Sequence, residues 1–151
     1  MAKKEYPPLI KKGFVEIGLW QFDALFLQPF KFNDHRKKLI DSFIVFLEEF
    51  KKLGLRAEIW IDGSFTTEKE EPDDIDLLFL LDINEVDNLT GNKAKLFKDL
   101  LISREKVKVR FGLDVYFINM YDSKEKAKWI ETYGFDSGKL NEKGIFKLDV
   151  Q

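Results

Sequence analysis

Two carboxylates separated by one apolar residue, Asp74-Ile75-Asp76, open the most apolar segment of the chain, Ile75-Asp76-Leu77-Leu78-Phe79-Leu80-Leu81. In a strand, residues two apart point to the same face, about 6.6 Å apart along the chain. Asp74 and Asp76 therefore share a face with Leu78. Carboxylates so placed repel, and one is driven towards its neutral form unless a cation stands between them. Either the pair holds a divalent cation, or it caps a neighbouring loop or helix. The chain has no cysteine and a single histidine, His35. Disulfide, iron–sulfur and thiolate zinc sites are excluded, as are a cysteine nucleophile and a multi-histidine metal site. Oxygen-held Mg²⁺, Mn²⁺ or Ca²⁺ remains.

Gly63-Ser64 follows the strand-like run Arg56–Ile61, at the point where the chain must leave a sheet. Glycine lets a ligand approach the backbone closely, and exposed N–H groups with a serine hydroxyl can hold a phosphate. Alone, such a pair is an ordinary turn. Asp114 lies in a second apolar run, Gly112-Leu113-Asp114-Val115-Tyr116-Phe117-Ile118, where a charge is costly unless paired or metal-bound. Residues 62–87 carry ten carboxylates and one cation, Lys69. Of these, Glu68–Asp73 reads as a solvated acidic loop.

The run Ile61-Asp62-Gly63-Ser64-Phe65, a nine-residue spacer and Asp74-Ile75-Asp76-Leu77 resemble the signature of the nucleotidyltransferase superfamily, whose fold is that of the DNA polymerase β catalytic domain. Asp114 fits the third carboxylate of that pattern. More loosely, the chain is similar to a family of small, uncharacterised bacterial nucleotidyltransferase-like proteins. That likeness rests on His35-Arg36, Trp60–Phe65, Asp114–Phe117 and Trp129 … Gly134-Phe135-Asp136 … Lys143-Gly144-Ile145.

The resemblance implies two-metal phosphoryl transfer with Mg²⁺ or Mn²⁺. Asp74 and Asp76 would hold ions that bridge a nucleoside triphosphate. Asp114, with Asp76, would hold a second ion that lowers the pKa of an attacking hydroxyl. Ser64 and the N–H groups after Gly63 would receive the β- and γ-phosphates. A nucleoside monophosphate would pass to an unknown protein or small-molecule acceptor, and pyrophosphate would leave. The alternative is a catalytically weak binding module acting through a partner, antitoxin-like or regulatory. One departure bears on this choice: the spacer is acidic, where minimal antitoxin-type members carry arginine.

The elements that must position these residues are legible in part. Residues 1–13 read as a basic, extended arm with Pro7-Pro8, and residues 14–151 as one α/β (α+β) domain. The resemblance implies a nucleotidyltransferase-type mixed sheet flanked by helices. No element is assigned to residues 14–30. Asn33 or Asp34 caps a helix to about Leu53, with Leu39, Ile40, Phe43, Ile44, Phe46, Leu47 and Phe50 at helical period. Residues 56–61 and 75–81 read as strands, the second buried on both faces. Residues 91–103 read as a helix, 106–119 as strand material that begins with alternating Lys106-Val107-Lys108-Val109, 124–133 as a helix, and 144–148 as a short strand. His35-Arg36 reads as solvated surface, and Trp60 and Trp129 as core or interface. Lys143, beside Gly144, is either a phosphate-reaching cation or a solvated lysine, and is read as the second. A net charge of -2 and a pI of about 5.6 argue against a basic nucleic-acid-binding domain. No apolar run approaches the ~20 residues of a membrane span. With no signal-like start, a cytoplasmic protein is expected. Two mutational consequences are expected too. Gly63→Val should lose triphosphate binding in a folded domain, and Asp114→Asn should melt higher than wild type in chelator.

Overall fold

In the computed structural model, residues 5–136, 138 and 141–150 are described. Five strands form one mixed sheet: β1 (Phe14–Glu16), β2 (Ala57–Asp62), β3 (Ile75–Leu81), β4 (Leu113–Asn119) and β5 (Ile145–Val150), in the order β1-β5-β2-β3-β4. β2 runs antiparallel to β3 and β5, whereas β3–β4 and β1–β5 are parallel pairs. Helices α1 (Asp34–Lys51), α2 (Ile83–Asp87), α3 (Gly91–Phe97), α4 (Arg104–Phe111) and α5 (Ser123–Tyr133) flank the sheet. The domain is of the α/β class. Among the described residues, no helix is long and apolar enough to cross a membrane.

The sheet is covered on both faces, which is why β3 must be apolar almost throughout. Its Leu77, Phe79 and Leu81 join the large cluster that includes Phe43, Phe46 and Phe50 of α1. The Phe79 ring lies 5.8 Å from that of Phe46 and 5.0 Å from that of Phe50. The phenylalanine stripe of α1 is thus core, as its period requires. Leu78 and Leu80 point the other way, into a smaller cluster with Trp60, Ile118 and Tyr133, against which Trp129 and Tyr116 pack. Asp76 has the parity of Leu78, so it opens β3 on the smaller cluster's face.

Three readings of the sequence are corrected. Of residues 106–119, read as strand material, only 113–119 form a strand, and 106–111 belong to helix α4. The alternation at residues 106–109 is accidental, because Val107 is buried and Val109 is 90% exposed. The spacing that matters is four: Val107 and Phe111 face the core, and Gly112 ends the helix in the left-handed region. Residues 14–30, left open above, supply β1, a 3₁₀ turn at Leu19–Gln21 and a π-type turn at Asp23–Leu27 that buries Phe26. The expected helix over 91–103 is α3 followed by a π-type turn, Lys98–Ile102.

The third correction is Arg36, which is buried and not solvated. Its guanidinium donates to the carbonyls of Phe65 (2.8 Å), Thr67 (2.9 Å) and Lys69 (2.7 Å), and to that of Phe26 (3.3 Å). It also lies over the Phe30 ring, 3.7 Å from its centroid. Burial lowers its pKa to about 10, so it stays charged at neutral pH. One side chain from α1 thereby fixes the loop that leaves β2. Arg36→Met would leave these carbonyls without a donor. In urea unfolding it is expected to lose more than about 3 kcal/mol, whereas a loss below about 0.5 kcal/mol would show that the loop is held by other contacts.

Candidate functional site

Strand register brings the acidic residues together. Asp62 pairs with Asp76 across β2–β3, and Asp76 pairs with Asp114 across β3–β4. Directly paired residues share a face, so three neighbouring strands carry one carboxylate each on a single rung. Asp74 lies just ahead of β3. One carboxylate oxygen from each of Asp74, Asp76 and Asp114 lies within 4.8 Å of the others. The three residues singled out from the sequence are therefore brought together.

Three cations face this cluster. Arg104 Nη2 donates to Asp114 Oδ1 at 2.6 Å, with its guanidinium 3.7 Å from the Tyr116 ring centroid. Lys108 Nζ lies 3.3 Å from Asp74 Oδ2. Both come from one face of α4, four residues apart. Lys143 Nζ lies 2.8 Å from Asp62 Oδ1 and 3.4 Å from the Gly63 carbonyl. Lys143 is thus mostly buried, contrary to the solvated lysine expected. Asp62 is 1% exposed. Burial raises its pKa to about 7, with Lys143 pulling in the opposite direction. Asp76 has no ion-pair partner among the described residues. Burial first, then the charges of Asp74, Asp114 and Asp62, raise its pKa to about 7.

The turn after β2 is shaped by Asp76. Gly63 has φ +82°, and a Cβ there would sit 2.7 Å from Asp76 Cγ. The glycine is needed for its backbone conformation and for the approach of that carboxylate, whatever else approaches it. Gly63→Val would distort the fold locally, so the folded, binding-deficient variant expected above does not isolate phosphate contact. Ser64 begins a 3₁₀ turn, Ser64–Thr66. Its carbonyl accepts from Thr67 Oγ1 at 2.6 Å, while its hydroxyl makes no hydrogen bond among the described residues.

These groups open onto a cleft of about 240 Å³, lined by Asp62, Gly63, Ser64, Asp74 and Asp76 together with Tyr133 and Lys143. Asp114 is outside that lining, its carboxylate held by Arg104. A larger hollow of about 500 Å³ beside Gln21 and Lys51 brings no carboxylate cluster together. Reading the sequence did not find Asp62, Arg104, Lys108 or Tyr133 as site residues, and it set Lys143 aside as solvated after weighing a phosphate contact. Only the four-residue spacing of Arg104 and Lys108, matched by Val107 and Phe111 and closed by Gly112, left a local signal.

Over residues 3–149 the chain matches a family of unknown function (DUF6932), and it belongs to that family. No curated protein and no solved structure matches it.

The ion pairs revise where charge repulsion falls. Arg104 neutralises Asp114, so Asp114→Asn removes a partner as well as a charge. The stabilisation expected of Asp114→Asn passes to Asp76, the unpaired member. A group whose pKa is raised by folding stabilises the native state below its unfolded value of 3.8 and loses that stabilisation as pH rises to about 7. In chelator, Asp76→Asn is expected to gain on wild type progressively from about pH 4 to about pH 7. Urea unfolding across that range checks it, and parallel stability curves would contradict it.

Proposed function

We propose that the chain is a divalent-metal-dependent nucleotidyltransferase acting in the cytoplasm. In this reading it transfers a nucleoside monophosphate from a nucleoside triphosphate to a protein or small-molecule acceptor and releases pyrophosphate. The observation that supports it most is the convergence of Asp74, Asp76 and Asp114 oxygens within 4.8 Å, with Asp74 and Asp76 lining a cleft that Gly63 and Ser64 also line. The donor set fits Mg²⁺ or Mn²⁺, being all carboxylate oxygen with a central member, Asp76, that has no cation of its own.

When bound, such ions neutralise the triphosphate and make a nearby hydroxyl a better nucleophile. The remaining work falls to the chain. Asp76, fixed by strand pairing on both sides, would be the shared ligand, with Asp74 and Asp114 flanking it. The Ser64 hydroxyl, without a hydrogen-bond partner among the described residues, would donate to a phosphate oxygen. Arg104 and Lys108 would keep Asp114 and Asp74 in place and limit their repulsion between turnovers. Arg36, through the carbonyls of Phe65, Thr67 and Lys69, would hold the turn at its position beside the carboxylates.

A second reading has one observation in its favour. Asp114 is bound to Arg104 and does not line the cleft, an arrangement that weakens any second ion site. A nucleotide-binding module that acts through a partner, antitoxin-like or regulatory, would tolerate that. The experiment is incubation with Mg²⁺ and α-labelled nucleoside triphosphates, with and without cell extract. Transfer of label that Asp76→Asn reduces by at least about 100-fold supports the enzyme. Nucleotide binding without transfer supports the binding module, and neither binding nor transfer contradicts both readings.

A further inference from the structure

Tyr133 is the last residue of α5 and lines the cleft together with Asp62, Asp74 and Asp76. It is 5% exposed, and its hydroxyl is buried with no hydrogen-bond partner among the described residues. The ring is held in place by Trp129, 5.2 Å away edge-to-face. Burying a hydroxyl without a partner is unfavourable. Phenylalanine would fill the same space without that penalty, and the chain uses phenylalanine at 15 positions. The oxygen thus has no role in packing and lies idle in the unliganded fold.

Lys143 lines the same cleft. It is held by its own N–H to the Gly134 carbonyl, 2.8 Å, at the end of α5. Its ammonium has three donors, of which Asp62 and the Gly63 carbonyl take two. A buried lysine–aspartate pair is a poor source of stability compared with apolar packing. Here it places a cation, with one donor that no described residue takes, in the cleft that Tyr133, Asp74 and Asp76 also line.

We propose that Tyr133 and Lys143 form an anion-binding wall that takes the terminal phosphates of a metal-bound nucleoside triphosphate. This rests on the nucleotidyltransferase reading and adds to it the groups, besides Ser64, that meet the phosphates. A polyphosphate carried by metal on Asp74 and Asp76 still presents unbound oxygens to the rest of the cleft lining, Tyr133 and Lys143 included. The neutral phenol meets them without adding charge, and the one ammonium is already balanced by Asp62. Burial, and then Asp76, Asp62 and Asp114, raise the Tyr133 pKa well above its ordinary value of 10.0, so the phenol remains a donor at every physiological pH.

The test is calorimetric titration of the full chain in three arms: Mn²⁺ alone, Mn²⁺ with inorganic tripolyphosphate, and Mn²⁺ with ATP. Tyr133→Phe keeps the ring and removes only the oxygen. It is expected to bind Mn²⁺ alone as wild type does and to bind both tripolyphosphate and ATP about tenfold more weakly, the loss of a hydrogen bond to a charged acceptor. Lys143→Gln, with its fold checked by melting, should show a larger loss in the same two arms. If it does not fold, Tyr133→Phe decides alone. Equal tripolyphosphate affinity in wild type and Tyr133→Phe overturns the wall and leaves the nucleotidyltransferase reading standing. Failure of wild type to bind either phosphate compound overturns both.

Discussion

Three adjacent strands place an aspartate each on one rung of the sheet, and much of the remaining structure around the site follows from that placement. Strand pairing sets the neighbouring backbones about 4.8 Å apart. The side chains of Asp62, Asp76 and Asp114 cannot spread beyond what their rotamers allow. Both faces of β3 are otherwise sealed, by α1 on one side and α5 on the other, so the acids occur only where the covering layer ends. A buried acidic row of this kind must be balanced. Arg104 and Lys108 reach it from α4, and Lys143 reaches it from the segment before β5. Asp76, in the centre, is left with burial and the charges of its neighbours, and it is the residue best placed to gain from an added cation.

The surrounding backbone is arranged to keep that row open on one side. Gly63 gives up a side chain so that the Asp76 carboxylate can stand against the turn. Arg36 draws the following loop down onto α1 through carbonyls at Phe65, Thr67 and Lys69. Thr66 Oγ1 adds a hydrogen bond to the Gly63 carbonyl at 3.1 Å. The same hydroxyl lies 3.3 Å from Asp62 Oδ1, so these contacts fix the loop at the edge of the cleft, where Thr67 and Lys69 form part of its lining. The acidic stretch Glu68–Asp73, awkward beside a phosphate if it pointed inwards, is mostly carried outwards by the same contacts. Glu68, Glu71 and Asp73 are exposed.

What could be read from the sequence was what local chemistry encodes. The run at residues 75–81 is apolar because β3 is covered on both faces, and its bounds coincide with the strand. The period of Leu39, Phe43, Phe46 and Phe50 marks the inner side of α1. Asp74, Asp76 and Asp114 stand out because charges in apolar strands need a reason. What escaped was long-range or ambiguous. Lys106–Val109 alternates with a period of two by chance, and only Val107, Phe111 and Gly112 taken together signal a helix. Arg36 looks like any helix-start arginine, because its partners at residues 65–69 lie about thirty positions away. Asp62 was one acid among ten, and Lys143 one lysine in a polar tail. Their pairing depends on β5 lying beside β2, which no local pattern announces. Tyr133 looked like the end of an amphipathic helix, and its idle hydroxyl exists only in three dimensions.

The claim that Asp74, Asp76 and Asp114 form a divalent-cation site is tested most directly by crystals grown with Mn²⁺ and a non-hydrolysable nucleoside triphosphate, using the anomalous scattering of manganese. The account predicts a manganese peak liganded by Asp76 with Asp74 or Asp114, and phosphate oxygens completing its coordination. Carboxylates still paired with Arg104, Lys108 and Lys143, with no manganese among them at saturating Mn²⁺, would contradict it.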